Sequence, residues 1–166
     1  MSRHDLCETR LRFIFGTWNV HNRKLVDVTD ASCEEWVEFD ALSHVAPILG
    51  GIGHTDQMSV TDPSDGGDPF DGFTLRLFDP ESGTWRIWWS SSRNPGVLDT
   101  PVHGRFDGRH GVFECSDEIG GRTAHVRFEW FADDPKRPRW EQSFSYDGGL
   151  NWRRNWVMTF TRTDAA

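Results

Sequence analysis

Helix signals are nearly absent from this chain of 166 residues, whereas short runs in which apolar and polar side chains alternate, each bounded by turn residues, recur throughout. The alternation predicts strands over residues 13–25, 35–41, 51–60, 73–78, 85–91, 102–106, 111–115, 123–131, 139–145 and 152–162. Turn chemistry supports the joints, because Gly83, Asp107-Gly108, Gly120-Gly121 and Asp147-Gly148-Gly149 all tolerate positive φ. Sequential hairpins imply an antiparallel meander, and a twisted sheet of about ten strands removes its exposed edges by closing. The expectation is an all-β fold: one up-and-down antiparallel β-barrel over residues 13–163, with a leading segment, 1–12, and a tail, 164–166.

That length suits one domain, burying roughly 70% of the surface its unfolded form exposes. Nine Trp and 12 Phe stand against a single Tyr, which excludes a disordered chain. The formal charge of -8 argues against nucleic acid or an anionic membrane as partner, since both need a basic face. Residues 1–12 lack the apolar stretch of a signal peptide, and no run is long enough to span a membrane. Cys7, Cys33 and Cys115 are widely spaced, so reduced thiols in a cytoplasmic protein are expected, with no metal site. No nucleophile elbow, phosphate loop or dinucleotide fingerprint occurs.

Alternate side chains of a strand face opposite sides, so each run sorts into lining and exterior. Residues Val126, Phe128 and Trp130 are expected inward, as are Trp140, Gln142 and Phe144, and Trp85, Ile87, Trp89 and Ser91, with Arg93 at the rim. In 73–78 the apolar set Phe73, Leu75 and Leu77 is expected inward, with Thr74 and Arg76 outward. Parity with Trp18 places Asn22 and Lys24 inward and His21 outward. Trp88 and Phe78 are expected outside, an apolar patch that points to a homodimer.

The polar exceptions on the apolar face carry the chemistry. In 51–60 the inward set is Ile52, His54, Asp56, Met58 and Val60. His54 and Asp56 would stand about 7 Å apart at their Cα atoms. Coupled inside an aromatic cavity, burial would raise the Asp56 pKa, Asp56 would raise that of His54, and the pair could transfer protons. The competing reading is that both only satisfy buried polar groups. Four aspartates in residues 62–72 fit either a calcium loop or a solvated turn; the missing EF-hand order favours the turn.

Two resemblances arise from short motifs. Ser145-Tyr-Asp147-Gly-Gly149-Leu-Asn151-Trp152 resembles the Asp-box of sialidase-type propellers, occurring once and read as a structural hairpin. Gly16-Thr17-Trp18, with Arg162 ending the last strand, is similar to the calycin superfamily of lipocalins, fatty-acid-binding proteins and nitrobindin-like barrels. Trp18-Asn-Val, Pro47-Ile-Leu-Gly-Gly and Leu75-Arg-Leu-Phe-Asp-Pro80 bring it nearest to bacterial lipocalin-like domains of unknown function. The resemblance implies that Gly16, Trp18 and Arg162 seal one barrel end by a guanidinium–indole contact. Nitrobindin-like members bind haem through a barrel histidine, which would have to be His54.

Three functions follow as expectations. The first is a small apolar or aromatic molecule bound without cofactor by Asn22, Met58, Trp85, Trp89, Arg93, Phe128, Trp130, Trp140, Gln142 and Trp156. The second is a cofactor-free isomerase, cyclase or decarboxylase in which His54 and Asp56 are catalytic. In the third, the rings fill the barrel and it serves as a structural or interaction domain.

Overall fold

The computed structural model describes residues 11–163, so Cys7, most of the leading segment and the 164–166 tail lie outside the described residues. The strands are β1 (Gly16–Leu25), β2 (Trp36–Ile48), β3 (Gly53–Val60), β4 (Phe70–Asp79) and β5 (Thr84–Ser91). They continue with β6 (Val102–Asp107), β7 (His110–Ile119), β8 (Arg122–Phe131), β9 (Arg139–Ser145) and β10 (Arg153–Arg162). Each pairs antiparallel with its sequence neighbours, and β1 pairs with β10 to close the barrel. All ten strands coincide with alternating runs. β4 starts early, at Phe70 inside the 62–72 segment expected to be a turn, and two strands end late: β2 continues through Ser43 and Val45 to Ile48, and β7 through Asp117 to Ile119. A polar inward residue, Ser43 or Asp117, masks the alternation at each late end.

Alternate connections emerge at opposite ends. The floor carries the short joints 49–52, 80–83 and 108–109, the loop 132–138 and a 3-10 turn at Arg12–Ile14, where a strand start was expected. The mouth carries the loops 26–35, 61–69, 92–101 and 146–152 and the Gly120-Gly121 turn. Apolar side chains fill the floor half. Trp18 is fully buried, donates its indole N–H to the Ile14 carbonyl at 2.7 Å and meets Phe160 edge-on. Arg162, opposite Trp18 in register, lies 4.1 Å over its ring and donates to the Phe15 and Phe13 carbonyls. Gly16 has φ of 110°, and a Cβ there would lie 2.8 Å from an Arg162 Nη atom, so the cap requires glycine.

One strand reverses its expected facing. β3 and β4 pair His54 with Arg76 and Asp56 with Thr74, and directly opposed residues share a face. Thr74 and Arg76 therefore point inward, while Phe73, Leu75 and Leu77 face out and are half-buried. Phe78 follows the same parity and leans on Trp85 at 5.0 Å, leaving the expected outer patch to Trp88 and its register partner Leu75 with the flanking β4 side chains.

The single Asp-box motif builds the β9–β10 hairpin. Asp147 accepts from the Asn151 amide and the Ser145 hydroxyl, and the Trp152 indole donates to the Gly149 carbonyl. The backbone N–H of Asn151 is the main reason the Asp147 carboxyl is held down at about 2. In loop 61–69, Asp62 accepts from the Ser64 amide, while Asp65 accepts from the Gly67 amide and pairs with Arg93. Those carboxylates serve turns and an ion pair.

Candidate functional site

Above the filled floor, the barrel encloses a cavity of about 120 Å³. Its wall is largely aromatic. Trp156 meets Trp89 at 6.0 Å and Trp140 at 5.7 Å, both edge-on, and Trp140 meets Phe128 at 4.9 Å. Trp89 can lie inward because β4 offers Gly72 beneath it: a Cβ there would stand 2.2 Å from the ring. Met58, Ile87, Val102, Val126 and Met158 add to the apolar lining, with Ile119, Phe144 and Phe160.

The polar pole comes from β2, β3 and β4. Asp56 accepts 2.5 Å from the Ser43 hydroxyl and 3.1 Å from an Arg76 Nη atom. Both charged residues are deeply buried, with Asp56 7% and Arg76 4% exposed. Arg76 also stands 5.7 Å from the centre of the Trp130 ring. Its Nε and Nη1 are buried without a hydrogen-bond partner. At the mouth, Asp99, Asp117 and Cys115 join the lining. Burial, with Asp117 beside it, raises the Asp99 carboxyl; burial, with both carboxylates, pushes the Cys115 thiol up to about 11. The mouth is therefore acidic and its thiol protonated at neutral pH.

The loop 26–35 lies across this mouth. Arg153 donates to the Ala31 and Cys33 carbonyls, the Thr29 carbonyl sits against Gly120, and Val28 packs on the core.

The structure brings together only part of the expected set. Asp56, Met58, Trp89, Phe128, Trp130, Trp140, Gln142 and Trp156 line the cavity; Asn22, His54, Trp85 and Arg93 do not. Asn22 is spent holding the Trp156 indole N–H at 2.9 Å, and Gln142 donates to Asn155, which a bulge in β10 turns toward it. Lys24 is half-buried with its ammonium 5.3 Å from the Trp156 ring, and burial lowers its pKa. Arg93 lies over Phe70 at 4.2 Å and pairs with Asp65 outside the lumen. His21 faces out and pairs with Asp40 and Glu38.

The expected His54–Asp56 couple is not formed. His54 sits in the floor between the Phe15 and Trp85 rings, at 4.6 and 4.8 Å, and Asp56 is committed to Ser43 and Arg76. Burial first, and the Arg76 charge second, press the imidazole down to about 3, opposite to the rise expected from a carboxylate partner. Proton transfer between these two groups loses its geometric basis. The haem reading meets the same obstacle, because its required histidine is packed among floor rings and absent from the cavity lining. A cavity of about 120 Å³ is also far too small for a porphyrin.

The missed residues are Ser43, Thr74 and Arg76 on the wall and Asp99, Cys115 and Asp117 at the mouth. One available signal was the inward Asp56 itself: a buried carboxylate needs a cation, and Arg76 lies on the next strand.

His54 makes a pH prediction. Its folded value of about 3 lies below the ordinary 6.5, so the unfolded chain binds the proton more readily. The stability it contributes is fully present above the unfolded value and is lost as pH falls toward the folded one, at about 1.4 kcal/mol per pH unit. Urea melts between pH 7.5 and 4.5 should show a shallower acid loss in His54→Phe than in wild type. Equal slopes would exclude this assignment.

No protein-family model and no curated protein matches the chain. Among solved structures, the S-type phycobiliprotein lyase CPES from Guillardia theta is 11% identical, the match covering 100% of this chain and 95% of that one, with a TM-score of 0.41. At that identity and score the likeness carries no functional argument. The geometry itself shows a closed ten-strand antiparallel meander whose first-strand Trp18 lies under a last-strand arginine. Among the described residues, no helix is long and apolar enough to cross a membrane.

Proposed function

We propose that this barrel binds a small, mostly apolar or aromatic molecule in its lumen. The observation that carries the reading is the cavity itself, an aromatic-walled space of about 120 Å³ kept open above a floor whose rings are close-packed. An empty apolar cavity sacrifices contact energy and is a natural receptor for an apolar guest. Its size suits one ring: an apolar cavity of about 150 Å³ takes up benzene. A long-chain lipid would need the wall to repack.

The four lining tryptophans make binding visible. Titration with toluene, indole and phenol should shift or quench the tryptophan emission, because Trp89, Trp130, Trp140 and Trp156 face the guest. Val126→Phe, which inserts a ring into the cavity, should weaken such binding by at least about tenfold, the loss of one buried apolar contact set. Unchanged emission with all three compounds at their solubility limits would defeat the proposal.

A further inference from the structure

Within that binding reading, the unsatisfied nitrogens of Arg76 narrow the class of guest. A guanidinium has five N–H donors and no acceptor. One Nη atom of Arg76 donates to Asp56, whereas Nε and Nη1 are buried without a partner, on a side chain that lines the cavity. Leaving donors of a charged group unsatisfied in a low-dielectric interior is costly, so the site favours a guest that supplies an acceptor.

The charge count decides which acceptor. Arg76 is already neutralised by Asp56 at 3.1 Å. His54, held neutral by burial and by Arg76, adds no positive charge at neutral pH. Asp99 and Asp117 stand at the mouth, and among the described residues Arg76 is the one basic side chain in the lining. A carboxylate guest would thus pass two acids and end as the uncompensated charge of a buried cluster. An uncharged carbonyl oxygen can accept from one of these nitrogens with no added charge. We infer that the lumen binds a neutral single-ring aromatic carbonyl compound, an aryl ketone, aldehyde or amide, with its oxygen accepting from one of the unpartnered Arg76 nitrogens and its ring against Trp130, Trp140 and Trp156.

The test uses acetophenone, ethylbenzene and benzoate at pH 7.5, with calorimetric affinities for the wild type and for the paired variant Asp56→Asn/Arg76→Met, which removes both charges together. The ratio of ethylbenzene to acetophenone Kd should fall by about tenfold or more in the variant, since a hydrogen bond to a charged donor is lost. Wild type should bind benzoate at least about tenfold more weakly than acetophenone. Infrared spectra of wild-type complexes add a readout that needs no variant: the bound ketone's carbonyl stretch should move well below its position in hexane.

An unchanged ratio, or a carbonyl stretch at its hexane position, would overturn the inference while leaving apolar binding intact. So would benzoate as the tightest ligand, which would reassign the site to anions. If none of the three binds either protein, the cavity-binding reading fails and this inference falls with it.

Discussion

Arg76→Met is expected to destabilise the fold by about 3–5 kcal/mol, the usual result of removing one partner of a buried ion pair. Asp56 would keep its 2.5 Å bond from Ser43 but would carry a charge in a space where it is only 7% exposed. The loss should come from the abandoned carboxylate more than from the missing attraction. Adding Asp56→Asn to Arg76→Met should therefore recover most of it, because the amide that replaces the carboxylate can still accept from the Ser43 hydroxyl and no charge remains buried. Urea denaturation of the two variants reads this directly. A single variant as stable as the paired one would mean that Asp56 finds solvent or another cation, and the described pole would be wrong.

Trp18→Ala is the second large effect, again about 3–5 kcal/mol, combining lost burial with the void left behind. The indole has no exposed surface, and its removal orphans the Ile14 carbonyl and strips the ring from under Arg162. Trp18→Phe should lose less, since it keeps a ring under the guanidinium and gives up the N–H donor. Arg162→Met tests the cap separately: the arginine is exposed, so the cation–π part is worth only about 0.5–1 kcal/mol. The order Trp18→Ala, then Trp18→Phe, should appear in thermal melts. A Trp18→Ala protein melting with the wild type would show that the floor is closed by other means.

These two sites differ in how openly the chain announces them. Trp18 and Arg162 sit at opposite ends of the sequence, yet the resemblance carried by Gly16-Thr17-Trp18 and a terminal arginine implies their contact, which register pairing of β1 with β10 then makes. The aromatic wall was equally legible on β5, β8, β9 and β10, where the inward face is mainly apolar and the outward face mainly polar, with Trp88, Gln142 and Val157 among the exceptions. On β4 the rule that the apolar face points inward fails. Phe73, Leu75 and Leu77 are half-buried outside, next to Trp88, while Arg76 goes in. The apolar-inward rule weighs each strand alone, but the requirement that outweighed it belongs to two strands at once: Asp56 on β3 needs a cation opposite or diagonal to it. His54 shows the converse. Its facing was legible, but its height in the barrel was not, and a few ångströms toward the floor turn a candidate acid–base group into a packed ring between Phe15 and Trp85.

The amino-acid sequence by itself determined the ten strands, their hairpin order and the closure of the barrel, because alternation and turn chemistry are local properties of the backbone and its side chains. Only the tertiary structure decided which polar groups meet inside it. Ser43, Asp56 and Arg76 are joined by the register of β2, β3 and β4 over sequence separations of 13 and 20 residues. A one-residue shift in that register would send all of a strand's side chains to the other face, so the site depends on pairings that no single strand encodes.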